Sequence, residues 1–112
     1  MDENRLFNNW ERALIVSLQL PHRSNAEVQS SLEEMSSLAY SLGGEVAGQI
    51  VQARSQIHPA YFFGKGKLDE IKLTLKNEDV DALLVDNQLS PKQTQNLEKI
   101  LECEVLDRTQ VI

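Results

Sequence analysis

A basic and aromatic segment carries the clearest chemical signal in this chain of 112 residues. Three cationic and three aromatic side chains fall within residues 54–67, with no acidic residue among them: Arg54, Tyr61, Phe62, Phe63, Lys65 and Lys67. Cationic groups bind phosphates and exposed aromatic rings stack on bases, so the segment predicts contact with RNA. The alternative is that Phe62 and Phe63 pack under a sheet and that the basic groups are simply solvated.

The glycines of the same segment suggest a phosphate site, although no known nucleotide motif is complete. A P-loop requires Ser or Thr after its lysine, and Leu68 occupies that position. A dinucleotide-binding fingerprint requires a third glycine where the chain has Asp69. Backbone amides at the start of a following helix can still hold a phosphate, and this makes Gly64, Gly66 and Lys67 candidate phosphate-binding residues.

The remaining reactive side chains predict no catalytic residue and no metal site. Asp86 follows an apolar run, where catalytic carboxylates occur, but no second carboxylate, histidine or lysine is paired with it by sequence. A capping or loop-ordering role is therefore the default for Asp86. Asp107 and Arg108 suggest a local ion pair or a backbone-ordering pair, and the single cysteine, Cys103, suggests a small buried hydrophobe.

The elements that would position these residues alternate between strands and helices. Apolar segments predict strands at residues 13–20, 45–53, 82–85 and 105–106. Three helices are predicted between them, from an apolar stripe or from end signals. The first helix has a capping box at Ser24–Glu27 and ends at Gly43-Gly44. The second has an apolar stripe of Leu68, Ile71 and Leu75, and the third starts at Ser90-Pro91.

This alternation predicts an α/β fold with a mainly parallel four-stranded sheet. The first and third strands are the most apolar and should be central, which gives the order 2-1-3-4. Ligands favour the carboxyl ends of the strands at the point where such an order reverses. Arg23 and Lys92 lie beside those strand ends, and they join the candidates for RNA or ribosome binding.

Composition supports one globular domain. Apolar residues make up 41% of the chain and charged residues 25%, with 11 Lys and Arg against 17 Asp and Glu. The formal net charge of −6 argues against a dedicated nucleic-acid binder at the level of the whole chain, though not against a local basic patch. We expect a polar segment at residues 1–12 and a domain at 13–112, with no signal peptide, no membrane span and a cytoplasmic location.

Three strings, in this order, carry a resemblance to a known family. Residues 58–67 read His-Pro-Ala-Tyr-Phe-Phe-Gly-Lys-Gly-Lys, residues 89–93 read Leu-Ser-Pro-Lys-Gln with Asn-Leu-Glu at 96–98, and residues 107–109 read Asp-Arg-Thr. Together they resemble the N-terminal domain of the HflX family of ribosome-associated GTPases, over residues 13–112. Gln110 departs from the pattern, because the family usually has glycine there.

The resemblance implies binding to the large (50S) ribosomal subunit and its rRNA and, together with a GTPase domain, splitting or rescue of stalled ribosomes. GTP and Mg²⁺ are expected for that GTPase domain, whose motifs are absent from residues 1–112, so the chain alone is expected to be inactive. Two alternatives stay open. One is an α/β domain that binds or hydrolyses nucleotide by itself, and the other is a scaffold that regulates the GTPase domain.

Overall fold

The chain folds into alternating strands and helices, which a computed structural model describes for residues 10–111. In chain order the elements are β1 (Arg12–Gln19), α1 (Asn25–Ser41), β2 (Glu45–Ala53), α2 (Lys65–Asn77), β3 (Ala82–Val85), α3 (Pro91–Leu101), β4 (Glu104–Asp107) and α4 (Arg108–Val111). All the predicted strands and helices are present, and α4 is one additional turn of helix. Of the expected polar segment 1–12, residues 1–9 lie outside the described residues, Trp10 is buried and Arg12 begins β1.

The four strands form one parallel sheet in the order β2-β1-β3-β4. The predicted fold class and strand order are therefore confirmed. β1 and β3 pair directly, with Val16 opposite Val85, and both strands are buried on their two faces. Because all strands run in one direction, the segments that follow them meet at one edge. We call this edge, formed by residues 20–24, 54–64, 86–90 and the start of α4, the carboxyl edge.

Alternate side chains of the central strands enter two separate cores. The core under α2 and α3 includes Leu14, Val16, Ile71, Leu83 and Leu97. The core under α1 and α4 includes Ile15, Leu32, Met35, Leu84 and Val111. Both faces of the sheet are thus covered, and no helix within residues 10–111 has the length and apolarity that crossing a membrane would require.

Two helices begin with the capping boxes that the sequence predicts. Ser24 Oγ accepts a hydrogen bond from the Glu27 amide at 3.1 Å, and the Glu27 carboxylate accepts one from the Ser24 amide at 3.0 Å. Ser90 and Gln93 make the same reciprocal pair at the start of α3. Gly43 follows the end of α1 with a φ of 85°, a conformation that favours glycine. Hydrogen bonds between residues close in the sequence therefore set the starts of α1 and α3, and a glycine sets the end of α1.

A third capping box starts α4 and corrects one expectation. The Asp107 carboxylate accepts from the Gln110 amide at 3.1 Å, and the Gln110 side-chain oxygen accepts from the Asp107 amide at 3.0 Å. Asp107 also accepts from the Leu89 amide at 3.1 Å. The Asp107 carboxylate is thus occupied by backbone donors, so the expected ion pair with Arg108 is wrong, and the expected backbone-ordering role holds for Asp107 alone.

Cys103 is half-buried and packs against the core under α2 and α3. Burial, reinforced by the nearby Glu98 carboxylate, raises the pKa of the Cys103 thiol to about 11. A thiol with this pKa stays protonated at neutral pH, and a protonated thiol is a poor nucleophile. The residue acts as the small apolar side chain that the sequence suggests, although it is not fully buried.

Gly44 is required by the packing of the single tryptophan. A Cβ atom on residue 44 would lie 2.0 Å from Cζ3 of the Trp10 ring, which is buried in the core under α1. We expect Gly44→Ala to lower the free energy of unfolding by about 1–3 kcal/mol, because the ring must move out of its packed position. Urea unfolding followed by Trp10 fluorescence measures the change.

Gly66→Ala is the matched control for that substitution. Gly66 lies in the first turn of α2, and a Cβ atom there would meet no heavy atom within 4 Å. Alanine also favours a helix over glycine, so the control should be unchanged or more stable by up to about 1 kcal/mol. If the two variants unfolded at the same urea concentration, the contact between Trp10 and Gly44 would be wrong.

Candidate functional site

The structure brings most of the predicted binding residues to the carboxyl edge. Arg23 lies in the loop after β1, and Arg54 and Tyr61 lie in the loop after β2. Lys65 and Lys67 are in the first turn of α2, and Lys92 is in the first turn of α3. Both helices cover the same face of the sheet, so the basic residues of the two helix starts belong to one side of the molecule.

The loop of residues 54–64, which we call the β2–α2 loop, is held in place by α3. His58 and Phe62 pair as an antiparallel bridge, with N–O distances of 3.0 and 2.9 Å. The side-chain amide of Gln93 donates to the His58 carbonyl at 3.2 Å, and that of Asn96 donates to the Ala60 carbonyl at 2.9 Å. The first two sequence strings that carry the resemblance are therefore in direct contact.

Two of the three aromatic residues of this loop belong to the core and not to a surface. Phe62 is 1% exposed and Phe63 is fully buried, and their rings pack edge to face with centroids 5.0 Å apart. Both belong to the core under α2 and α3, so of the two alternatives that the sequence leaves open for Phe62 and Phe63, packing under the sheet is the one that holds. Tyr61 is 36% exposed, beside the His58 ring at a centroid distance of 5.5 Å. It is the aromatic side chain of the loop that a base could reach.

The basic side chains of the edge differ in how they are already paired. Lys67 Nζ makes an ion pair with the Glu70 carboxylate at 2.6 Å, one turn along α2. Lys65 and Lys92 are exposed and make no ion pair with any residue in 10–111. Of these three lysines, Lys65 and Lys92 are therefore the two whose charges are free to meet a phosphate.

The glycines at the start of α2 allow close approach without building a complete cradle. Gly64 is the N-cap of α2 and has no side chain to bond the first turn, which contains no acidic residue. Its own amide donates to the Gln52 side chain at 3.1 Å. A Cβ atom on Gly64 would lie 3.3 Å from Arg54 Nη1, so the glycine makes room for the guanidinium. Phosphate binding by Gly64, Gly66 and Lys67 stays a prediction.

A second polar cluster, which sequence reasoning missed, surrounds Asp86 at the end of β3. The Asp86 side chain is buried, and its Oδ1 accepts hydrogen bonds from Arg108 Nη1 at 2.6 Å and from Ser31 Oγ at 2.7 Å. Its Oδ2 lies 3.4 Å from Ser17 Oγ and 3.8 Å from Arg23 Nη1. Asp86 thus pairs with arginines from two distant segments. This role is structural, like the capping or loop-ordering role that the sequence suggests, but its partners are side chains and not the backbone amides of a helix start.

Arg108 connects this cluster to α1. Its guanidinium also bonds Ser31 Oγ and makes an ion pair with the Glu34 carboxylate at 2.9 Å. Burial alone would lower the pKa of Arg108, but hydrogen bonds to Asp86 and Glu34 outweigh it and raise the pKa above its usual value. Arg108 lies 22 residues from Asp86 and 74 from Glu34, so no sequence signal could have paired them.

Charged side chains of both signs line a cavity at this edge. A cavity of about 720 Å³ borders the cluster and is lined by Arg23, Glu27, Glu34, Asp86 and Arg108 among others. Within residues 10–111 no group of three or more His, Cys, Asp or Glu side chains is placed to hold a metal ion. The arrangement supplies positive charge, amide donors and one exposed aromatic ring.

The Asp86 cluster should be structural, and its removal tests this. We expect Asp86→Ala to lower the free energy of unfolding by about 3 kcal/mol, because Arg108 and Ser31 lose a buried partner. This is the low end of the usual range, since the Arg108 side chain is about one-third exposed and can regain water. Glu34→Ala, at the exposed end of the same cluster, should cost less than about 1 kcal/mol. Equal losses in urea unfolding would contradict the assignment.

Comparison with known proteins places this fold in a family. A family model for the N-terminal region of GTP-binding GTPases matches residues 29–112. The GTPase HflX of Escherichia coli is 38% identical over 106 residues, which cover 95% of this chain and 24% of that protein. The HflX of Caldanaerobacter subterraneus subsp. tengcongensis is 36% identical over 107 residues, covering 96% of this chain and 24% of that protein.

The chain spans about a quarter of the length of the curated relatives it matches. Solved structures agree on the fold alone. Two crystal structures of SsGBP variants superpose with a TM-score of 0.64, cover 90% of this chain and 30% of theirs, and are 19% and 20% identical. By the family match and by these identities, the chain belongs to the HflX GTPase family and corresponds to its N-terminal domain.

Proposed function

We propose that this chain is the ribosome-binding N-terminal domain of an HflX-family GTPase. In this proposal it associates in the cytoplasm with the large ribosomal subunit and its rRNA, and with the GTPase domain it helps to split or rescue stalled ribosomes. The observation that carries the proposal is that Lys65 and Lys92, which make no ion pair within residues 10–111, lie beside the ordered β2–α2 loop at the carboxyl edge. Family membership supports the class of partner, and the loop supports the surface that meets it.

The electrostatics of the edge suit a phosphate backbone. The chain as a whole is acidic, with a formal net charge of −6, so it should be repelled from RNA except where cations cluster. Lys65 and Lys92 place two such cations at the starts of α2 and α3, where the helix dipoles add positive potential. Tyr61 lies on the adjoining loop with its ring exposed, ready to stack on a base.

The rigidity of the loop favours binding as well. Side chains of Gln93 and Asn96 hold its backbone, and Phe62 and Phe63 anchor it in the core. A loop that is already ordered loses little conformational entropy when it binds, so even a few contacts can yield measurable affinity. This is why we place the ribosome contact here rather than on the exposed outer face of α1.

A scaffold role is a second candidate, favoured by the Asp86 cluster. Arg108 begins α4 and is tied to β3 through Asp86 and to α1 through Glu34. These bonds determine the direction in which α4 leaves the sheet. In a protein about four times as long, as the relatives are, these bonds of this chain would set how the N-terminal domain is oriented toward a GTPase domain.

Salt-dependent binding to large subunits tests the first proposal. We expect the chain to co-sediment with purified large subunits, with a slope of log K against log[salt] of roughly −2, because two or three phosphates are contacted. The variant Lys65→Ala/Lys92→Ala should reduce the size of that slope by about 1 for each lysine removed.

Lys76→Ala/Lys99→Ala is the matched control. It removes the same charge from the same two helices, but at their last turns, on the opposite edge of the sheet. The control should bind as the unmodified chain does. Binding that ignores salt, prefers the small subunit, or weakens equally in both double variants would contradict the proposed surface.

GTP hydrolysis should belong to the GTPase domain, where we propose that GTP and Mg²⁺ bind. Phosphoryl transfer to water requires a phosphate cradle, a metal ion and a group that orients the water. Among the described residues, Asp86 is the only buried carboxylate at the end of a central strand that borders a cavity. It already pairs with Arg23 and Arg108, so it is not free to hold a metal ion. We expect phosphate release from GTP by the purified chain to stay at background with and without Mg²⁺.

The isosteric variant Asp86→Asn makes this expectation sharper. Turnover that follows the chain through purification and vanishes in Asp86→Asn, with the circular dichroism spectrum unchanged, would contradict it. Such a result would favour the alternative of an α/β domain that hydrolyses nucleotide by itself.

A further inference from the structure

A cleft between the β1–α1 and β2–α2 loops differs in charge from the rest of the carboxyl edge. Its volume is about 420 Å³, and its polar lining consists of Gln19, Arg23, Asn25, Arg54 and Ser55. Two guanidinium groups thus border one cleft, and no carboxylate lines it. In a chain with 17 acidic and 11 basic residues, two cations at one cleft without an acidic residue call for an explanation.

The carboxylates closest to Arg23 are already engaged elsewhere. Asp86 lies 3.8 Å from Arg23 Nη1, which is too long for a hydrogen bond, and it accepts its short bond from Arg108. Glu27 caps α1 by accepting from the Ser24 amide at 3.0 Å. The guanidinium donors of Arg23 are therefore only loosely compensated by charge, although a guanidinium has five N–H groups to offer.

Arg54 has an unmet donor of its own. Its Nη1 atom is buried and finds no acceptor among residues 10–111. The guanidinium lies over Gly64, at the cationic start of α2, so its surroundings add positive charge instead of cancelling it. Because the Nη1 atom is closed to solvent, an anion in the cleft would meet the other N–H groups of Arg54. Its negative charge would stabilise a guanidinium that has an unmet donor within residues 10–111.

One residue, Gln19, holds both arginines in place. Its backbone carbonyl accepts from the Arg54 amide at 3.0 Å. Its side-chain amide donates to the Arg23 carbonyl at 2.9 Å and to Asn25 Oδ1 at 2.9 Å. The two loops are thus ordered around the end of β1 before any ligand arrives, which is the property that a specific binding site requires.

We propose that this cleft binds one phosphate group, held by the guanidinium groups of Arg23 and Arg54 with the side chains of Asn25 and Ser55 beside them. Guanidinium forks match the oxygen atoms of a phosphate in charge and in geometry. The proposal deepens the proposed function and rests on it in one respect, that the phosphate belongs to the backbone of ribosomal RNA. A nucleotide phosphate has the same chemistry, and the experiment separates the two sources.

NMR titration of the full chain tests the site directly. The Nε–Hε signals of Arg23 and Arg54 are followed while pyrophosphate, ATP, adenosine or a single-stranded RNA hexamer is added. We expect saturable shifts of both signals with phosphate-bearing probes and none with adenosine. Arg54→Gln should weaken binding by about tenfold, which is the loss of one charged hydrogen bond. The affinity of Arg54→Lys should lie between those of the unmodified chain and Arg54→Gln, because lysine keeps the positive charge and lacks the paired N–H donors of the guanidinium.

Lys76→Gln serves as the control, since it removes one positive charge at the far end of α2 and should bind as the unmodified chain. Saturation by the hexamer and not by ATP assigns an RNA phosphate, and the reverse assigns a nucleotide; either supports the site. Shifts that do not saturate with any probe, or Arg54→Gln binding at full affinity, would overturn the proposed site.

Co-sedimentation with large subunits is measured in parallel, so that the two proposals can fail separately. Subunit binding without the NMR shifts overturns the phosphate site alone. Saturable shifts without subunit binding overturn the proposed function alone.

Discussion

Burial of β1 and β3 on both faces is the constraint on which the rest of this structure depends. The two strands pair in parallel, with Leu14 opposite Leu83 and Val16 opposite Val85, and each sends alternate side chains into two cores. Helices must cover both faces, and the parallel strands are therefore joined by crossover connections that contain those helices. All the connecting loops that follow strands then meet at the carboxyl edge. The grouping of Arg23, Arg54, Lys65 and Lys92 is a consequence of that topology.

Polar side chains at this edge divide into those that hold the fold and those that face outward. The buried Asp86 and the partly exposed Arg108 form a pair that joins β3, α1 and α4. Asn87 extends the pairing of the central strands, since its side chain donates to the Leu18 carbonyl at 3.0 Å and accepts from the Leu18 amide at 2.9 Å. With these groups satisfied internally, Lys65 and Lys92 keep exposed charges that make no ion pair within residues 10–111.

The β2–α2 loop places two aromatic rings in the core and one at the surface. Phe62 and Phe63 are core residues, and Phe62 adopts a φ of 65°, which turns the chain so that the two neighbouring rings can both be buried. His58 accepts from the Ala60 and Tyr61 amides through Nδ1 at 3.1 Å each, and this orders the turn that presents Tyr61. His58, Phe62 and Phe63 therefore hold in place the turn that carries the exposed Tyr61 ring.

Sequence alone determined the features that depend on local chemistry and on periodicity. The capping boxes at Ser24 and Ser90, the four strands and their order follow from side chains within a few residues of each other and from two-sided apolarity, which does not require knowledge of distant contacts. Only the tertiary structure decided that Phe62 and Phe63 are buried, that Lys67 is paired with Glu70, and that Asp86 meets Arg108. The free energy of a buried charge depends on partners that folding brings from tens of residues away, and the spacing of residues along a chain does not encode their distance in space.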